Sequence, residues 1–182
     1  MAWFSARFDQ ELENINNLYS RYRMSEALMA TYKLVWDDFC AWYLEMIKPE
    51  FVDGKSKPLD RATYEATLRF FERILKVVHP FMPFITEELW HQLAERSAKD
   101  CILVSAWPEP HAPDQGLLKR FEDLIETIKG VRTVRQEKGI SPKEKLKLIG
   151  ARGTVASLDG ALSNVLVKMC NLESYDLADG KP

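Results

Sequence analysis

The chain has 182 residues, of which 46% are hydrophobic and 29% charged, the make-up of one domain or a little more with a real core. A formal net charge of −2 excludes a uniformly basic nucleic-acid binder, though not a local basic patch. Eight glycines and nine prolines are too few for a turn-rich all-β chain, and three cysteines without a CxxC pair support neither a zinc knuckle nor a disulfide framework, which points to a reducing, cytosolic setting.

Over residues 4–22, Phe4, Phe8, Leu12, Ile15, Tyr19 and Tyr22 recur at steps of three and four and predict one helical stripe. A second helix is expected from about Ser25, a plausible N-cap, to Lys48, where Pro49 ends it. Its inner face is expected to carry Leu28, Tyr32, Val35, Phe39, Tyr43 and Met46, broadened by Trp36 and Trp42. Residues 52–59 form a polar turn, and a third helix follows with Asp60 as its cap and Tyr64, Leu68, Phe71, Leu75 and Val78 inside. Pro80 and Pro83 break the chain, and Thr86 is expected to cap a short fourth helix bearing Leu89, Trp90 and Leu93. Residues 99–116, with three prolines, read as a surface connection. A fifth helix from Asp114 carries Leu117, Phe121, Leu124, Ile128, Val131 and Val134 and stops at Gly139, a suitable C′ residue. Beyond it, Lys145–Leu148 alternates with the period of a strand, residues 155–169 are weakly helical, and Leu172–Leu177 suits another strand. The expected fold is mainly α: a helical bundle over residues 1–140, then a small, incomplete α+β subdomain over 141–182.

The charge is partitioned. Residues 1–128 carry a net −6, residues 129–152 a net +6, and residues 153–182 a net −2. Arg132, Arg135 and Lys138 recur every three residues and share about one helix face, a row suited to RNA phosphates. Arg21 and Arg23, flanking Tyr22 at the first interhelical turn, are a second candidate contact. The competing reading for both groups is a solvated face, and for Tyr22 a core tyrosine.

Motifs for chemistry are absent from the sequence. No G-x-G-x-x-G, G-x-x-x-x-G-K-[ST] or H-E-x-x-H occurs. His79 is expected to cap the end of its helix, and His91 and His111 have no ligand partner at metal spacing. Asp37-Asp38 and Glu87-Glu88 are helix neighbours that do not converge. Lys55-Ser56-Lys57 is preceded by Gly54 and followed by Pro58, so it is read as a turn and not as a Lys-Met-Ser-Lys-Ser loop. The chain alone is expected to lack a catalytic site and to need no cofactor.

Several stretches together carry a family resemblance: Trp36-Asp37-Asp38-Phe39-Cys40-Ala41-Trp42-Tyr43-Leu44-Glu45 with Lys48-Pro49; His79-Pro80-Phe81-Met82-Pro83-Phe84-Ile85-Thr86-Glu87-Glu88-Leu89-Trp90; Ser105-Ala106-Trp107-Pro108; and Ile128, Val131, Arg132, Arg135, Glu137, Ile140 and Pro142. In this order and spacing they resemble the anticodon-binding region of the valyl-tRNA synthetases. The double-proline stretch is shared with the isoleucyl and leucyl relatives, whereas the tryptophan-rich one is closer to the valyl type. The resemblance implies a piece of a multidomain ligase that joins valine to its tRNA with ATP and Mg²⁺. It also implies that the catalytic domain, the first bundle helices and a C-terminal coiled coil lie outside this sequence. The implied partners are the anticodon arm of tRNA(Val) and the remaining synthetase domains, with no membrane, and an uncovered apolar stripe is expected to pair two copies. An isoleucyl-type synthetase and a helical protein-interaction module that binds no RNA are the alternatives.

Overall fold

The computed structural model describes residues 1–49, 51–52, 55–97, 99–151, 158 and 160–178. By compactness the chain divides into two units, Met1–Pro113 and Asp114–Pro182. The division falls after Pro113, whereas the change of sequence texture places it near residue 140. That texture marks where helix gives way to strand; the last long helix itself packs against the shorter helix near the C-terminus.

In the first unit, α1 (Ala2–Ser20) buries Phe4, Phe8, Leu12 and Ile15, four members of the expected stripe. Tyr22 lies beyond its end and is 89% exposed, so it is not a core tyrosine. The next helix begins as α2 (Met24–Lys33), winds as a π-helix over Leu34–Leu44, and ends in α3 (Glu45–Ile47). Its buried positions are Ala27, Ala30, Thr31, Leu34, Asp38, Phe39 and Tyr43. Leu28, Tyr32 and Trp36, expected inside, are exposed instead, with the Tyr32 and Trp36 rings stacked on the surface. The wider π turn changes the angular step per residue, so a 3.6-residue stripe drawn back from Phe39 and Tyr43 runs down the wrong face.

Two short strands, β1 (Phe51–Val52) and β2 (Lys55–Ser56), pair antiparallel where the polar turn was expected. Helix α4 (Arg61–Val78) is capped by Asp60, whose carboxylate accepts the Thr63 N–H at 2.9 Å. Its buried set is Ala66, Ile74, Leu75 and Val77, leaving Tyr64 outside. Helix α5 (Pro83–Leu93) starts with proline in its first turn and Met82 at the N-cap. Thr86 is therefore not the cap: it lies one turn in, buried, its hydroxyl donating to the Met82 carbonyl at 2.8 Å and meeting His79 Nδ1 at 2.8 Å. His79 thus ties the end of α4 to α5 through its ring.

Aromatic rings fill the centre of this unit. Phe4 meets Tyr43 at 4.9 Å, Phe70 at 5.0 Å and Phe39 at 5.3 Å between centroids, and Tyr43 OH pairs with Thr67 Oγ1 at 2.8 Å. Leu75, Trp90 and Ile102 form a second cluster, in which the Arg96 guanidinium lies 3.8 Å over Trp90. The buried charges are paired: Arg73 donates to Asp9 at 2.6 Å, and Arg7 Nε to Asp38 at 3.1 Å. Burial pushes the Asp38 carboxyl above its usual range, with the Arg7 charge opposing. The proline-rich connection is laid on this body through Trp107 Nε1, which donates to Asn16 at 2.9 Å, and the Ala106 carbonyl, which accepts from Lys76.

The second unit comprises α6 (Gln115–Glu137), β3 (Leu146–Ala151), α7 (Gly160–Cys170) and β4 (Leu172–Ala178). β3 and β4 pair in parallel, with Leu148 opposite Tyr175 and Ile149 opposite Asp176, and α7 supplies the long crossover that parallel neighbours need. Of the weakly helical stretch 155–169, residues 155–157 and 159 lie outside the described residues, as does Arg152 of the basic segment.

Candidate nucleic-acid interface

The basic segment is presented by α6. Asp114 caps it, accepting the Leu117 N–H at 2.9 Å, and Leu118, Phe121, Leu124 and Ile128 are buried along it. The helix ends in a Schellman motif: the Ile140 N–H reaches the Arg135 carbonyl at 2.9 Å and the Gly139 N–H the Gln136 carbonyl at 3.2 Å. Gly139 takes φ +63°, the left-handed conformation for which glycine carries no Cβ penalty.

The three cations expected to share one face do not. Arg132 and Lys138 are exposed, and Lys138 stands at the C-cap, where a positive charge complements the helix dipole. Arg135 is only 6% exposed. Its guanidinium donates to the carbonyls of Ser141 at 2.8 Å, Glu144 at 3.0 Å, Cys170 at 3.0 Å and Asn171 at 3.3 Å. This fork fastens the end of α6 to the adjoining turn and to the C-terminal carbonyls of α7, groups that the helix cannot satisfy itself. Arg135 is a structural pin, its guanidinium buried among backbone carbonyls.

In the first unit, Arg21 and Arg23 flank the turn after α1. This turn is a second Schellman motif, with Arg23 N–H to the Leu18 carbonyl at 2.9 Å and Tyr22 N–H to the Tyr19 carbonyl at 3.0 Å. Here Tyr22 holds the left-handed position at φ 56°, where glycine is usual. Arg21 is exposed; Arg23 is exposed and its Nε donates to Glu26 at 2.6 Å. The exposure of Tyr22 between two arginines escapes stripe counting, because the residue sits three after Tyr19 in helical phase while its backbone has already left the helix.

Among the described residues no three His, Cys, Asp or Glu side chains come together as metal ligands. His91 Nε2 lies 3.2 Å from Glu87 one turn away, and Glu87 also accepts the Ile102 N–H at 3.1 Å, so this pair holds a loop in place. No helix among the described residues is long and apolar enough to cross a membrane.

Exposed cations stand beside the end of α1 in the first unit and at the end of α6 in the second, and comparison with known proteins specifies the family. The family model for the anticodon-binding domain of tRNA ligase matches residues 1–149, and the chain belongs to that family. Its relatives include the valine–tRNA ligase of Parabacteroides distasonis, 44% identical over 181 residues, and that of Porphyromonas gingivalis, 42% identical over 181. In both cases the match covers 100% of this chain and 20% of the relative. The valine–tRNA ligase of Thermosynechococcus vestitus is 32% identical over 181 residues, covering 98% of this chain and 20% of its own length. The chain therefore spans about a fifth of the length of the curated relatives it matches. The family match runs past Pro113, so the stretch that the family model covers and the first compact unit end at different places.

Proposed function

We propose that this chain is the part of a cytoplasmic valine–tRNA ligase that grips the anticodon arm of tRNA(Val), the whole enzyme joining valine to that tRNA with ATP and Mg²⁺. The observation that carries the reading is the exposed pair Arg132 and Lys138 at the end of α6, in the one strongly basic segment of an otherwise acidic chain. Phosphate contacts from these residues, and from Arg21 and Arg23 in the other unit, position the RNA; stacking and edge hydrogen bonds to unpaired bases read it. The three relatives are all valine–tRNA ligases, which favours the valyl over the isoleucyl reading.

Reversing Arg132 and Lys138 together to Glu weakens binding of the tRNA(Val) anticodon arm. It also lowers the slope of log K against log salt by roughly 0.7–0.9 for each phosphate contact removed. A double variant with wild-type affinity and slope would remove both residues from the interface.

Tyr22 gives a test in which stability and binding move in opposite directions. A non-glycine residue in the left-handed region costs about 1–2 kcal/mol, so Tyr22→Gly raises the unfolding free energy by about 1 kcal/mol after allowing for the greater freedom of glycine in the unfolded chain. The same change removes a ring whose stacking on one base is worth about 1–3 kcal/mol. Urea unfolding and an anticodon-arm titration measure the two effects; a stabilised variant with undiminished RNA affinity shows that the tyrosine does not touch RNA.

A further inference from the structure

The C-terminal ends of α6 and α7 enclose an open cavity of about 420 Å³, within the range of roughly 300–1,000 Å³ typical of small-ligand sites. Its walls include Arg132, Gln136, Ile140, Met169, Asn171 and the pinned Arg135. None of its lining residues is acidic.

The cavity is built from fixed parts. Gly139 and Asn171 each occupy the left-handed conformation, at φ 63° and 50°, and turn the chain sharply on either side of it. Arg135 ties the two helix ends together through four carbonyls, and Asn171 Nδ2 donates to the Pro142 carbonyl at 3.0 Å. Such a site needs little ordering when a ligand enters. Ile140 and Met169 give it an apolar face, and the exposed Arg132 stands at its rim. The positive potential reaches inside: burial raises the pKa of the Cys170 thiol, while the Arg132 and Arg135 charges pull it the other way. Asn171 Oδ1 and the Gln136 amide add acceptor and donor capacity.

An apolar wall, a guanidinium and side-chain amides suit one ligand chemistry. We propose that this cavity takes an unpaired nucleobase together with its phosphate, the ring lying against Ile140 and Met169, its edge meeting Gln136 and Asn171, and the phosphate meeting Arg132. Bases are stacked on apolar and guanidinium surfaces and read on their edges in this way, and an Arg fork is the usual partner of a phosphate. The inference rests on the reading of this chain as an RNA binder and deepens it, since the nucleotide is one splayed out of a tRNA single-stranded segment. A free nucleotide has the same chemistry, and the experiment separates the two sources.

Three probes are titrated against the 182-residue chain: a single-stranded RNA hexamer carrying one 2-aminopurine, 2-aminopurine riboside 5′-monophosphate, and inorganic phosphate as competitor. The hexamer is expected to bind saturably with a change in fluorescence, the monophosphate more weakly with the same change, and phosphate to compete poorly. Met169→Trp fills the cavity and weakens hexamer binding about tenfold or more. A 4-thiouridine hexamer, irradiated with the wild-type protein, cross-links to the peptide containing Met169–Asn171, a readout that stands whether or not the variant folds.

Wild-type hexamer affinity in a folded Met169→Trp protein, or cross-links confined to other peptides, overturns the proposal. Binding of the monophosphate but not the hexamer assigns the cavity to a free nucleotide and overturns the RNA source. If Met169→Trp leaves the anticodon arm bound while Arg132→Glu with Lys138→Glu releases it, the cavity proposal fails and the RNA-binding reading survives. Failure of the wild-type chain to bind either RNA removes both.

Discussion

Replacing Arg135 by Met lowers the stability of the second unit by about 3 kcal/mol or more. Hydrogen bonds from a charged donor are each worth about 1.5–3 kcal/mol, and a buried carbonyl left without a partner costs about 1–3 kcal/mol. Arg135 serves four carbonyls at 2.8–3.3 Å, and water relieves part of the loss because Ser141 and Glu144 are exposed. Arg135→Lys recovers only a fraction, since one compact ammonium cannot span the positions that a planar fork reaches. Hydrogen exchange at the β3–β4 ladder and at the last turn of α7 reports the loss locally, with protection falling there first. A stability change within about 0.5 kcal/mol, the range of ordinary surface substitutions, together with weakened RNA binding, would return Arg135 to the interface.

The second large effect belongs to Phe4. Its ring is fully buried and meets Tyr43, Phe70, Phe39 and Phe8, so it is the point where α1, the π-helical segment and α4 come together. Phe4→Ala is expected to cost about 3–5 kcal/mol, the lost transfer energy plus the cavity left by partial collapse. Chemical denaturation followed by aromatic fluorescence measures it. A loss below about 1 kcal/mol would mean that neighbouring rings close the space, and that the cluster is packed far more loosely than its centroid distances of about 5 Å imply.

These two residues mark how far the sequence could be read. Phe4 lies in an unbroken 3.6-residue stripe, and periodicity finds it. Some helix limits set by chemistry were equally legible: Asp60 and Asp114 cap as their side chains allow, and Gly139 ends α6 in the left-handed region, whereas Thr86 and Ser25 lie inside helices that begin before them. Periodicity fails where the winding changes. Leu28, Tyr32 and Trp36 face outward because a π-helical stretch shifts the phase of everything before Phe39, and no local residue pattern announces that stretch.

Arg135 illustrates a different failure. Counting cations every three residues placed it on a solvent face with Arg132 and Lys138, yet Phe121, Ile128 and Arg135 are seven apart, which is two turns. The heptad carried the buried seam through to a guanidinium, but charge suggested exposure, and the partners that make burial tolerable are carbonyls of the following turn and others some 35 residues away at the end of α7. Likewise the two strands could be anticipated from their texture, while their parallel pairing depends on a crossover whose packing the strand residues do not encode. The basic stretch was therefore legible as a segment and not as a set: which of its cations meet solvent depended on tertiary contacts.

The most direct measurement of the central claim is the salt dependence of anticodon-arm binding. The tRNA(Val) anticodon stem-loop is titrated with the chain at two salt concentrations, beside the Arg132→Glu, Lys138→Glu double variant. The wild-type chain is expected to bind with a steep negative slope of log K against log salt, and the double variant to bind more weakly with a slope reduced by roughly 1.4–1.8, as loss of two phosphate contacts requires. Equal slopes and equal affinities, or no binding by the wild-type chain, would contradict an RNA-gripping role for this surface.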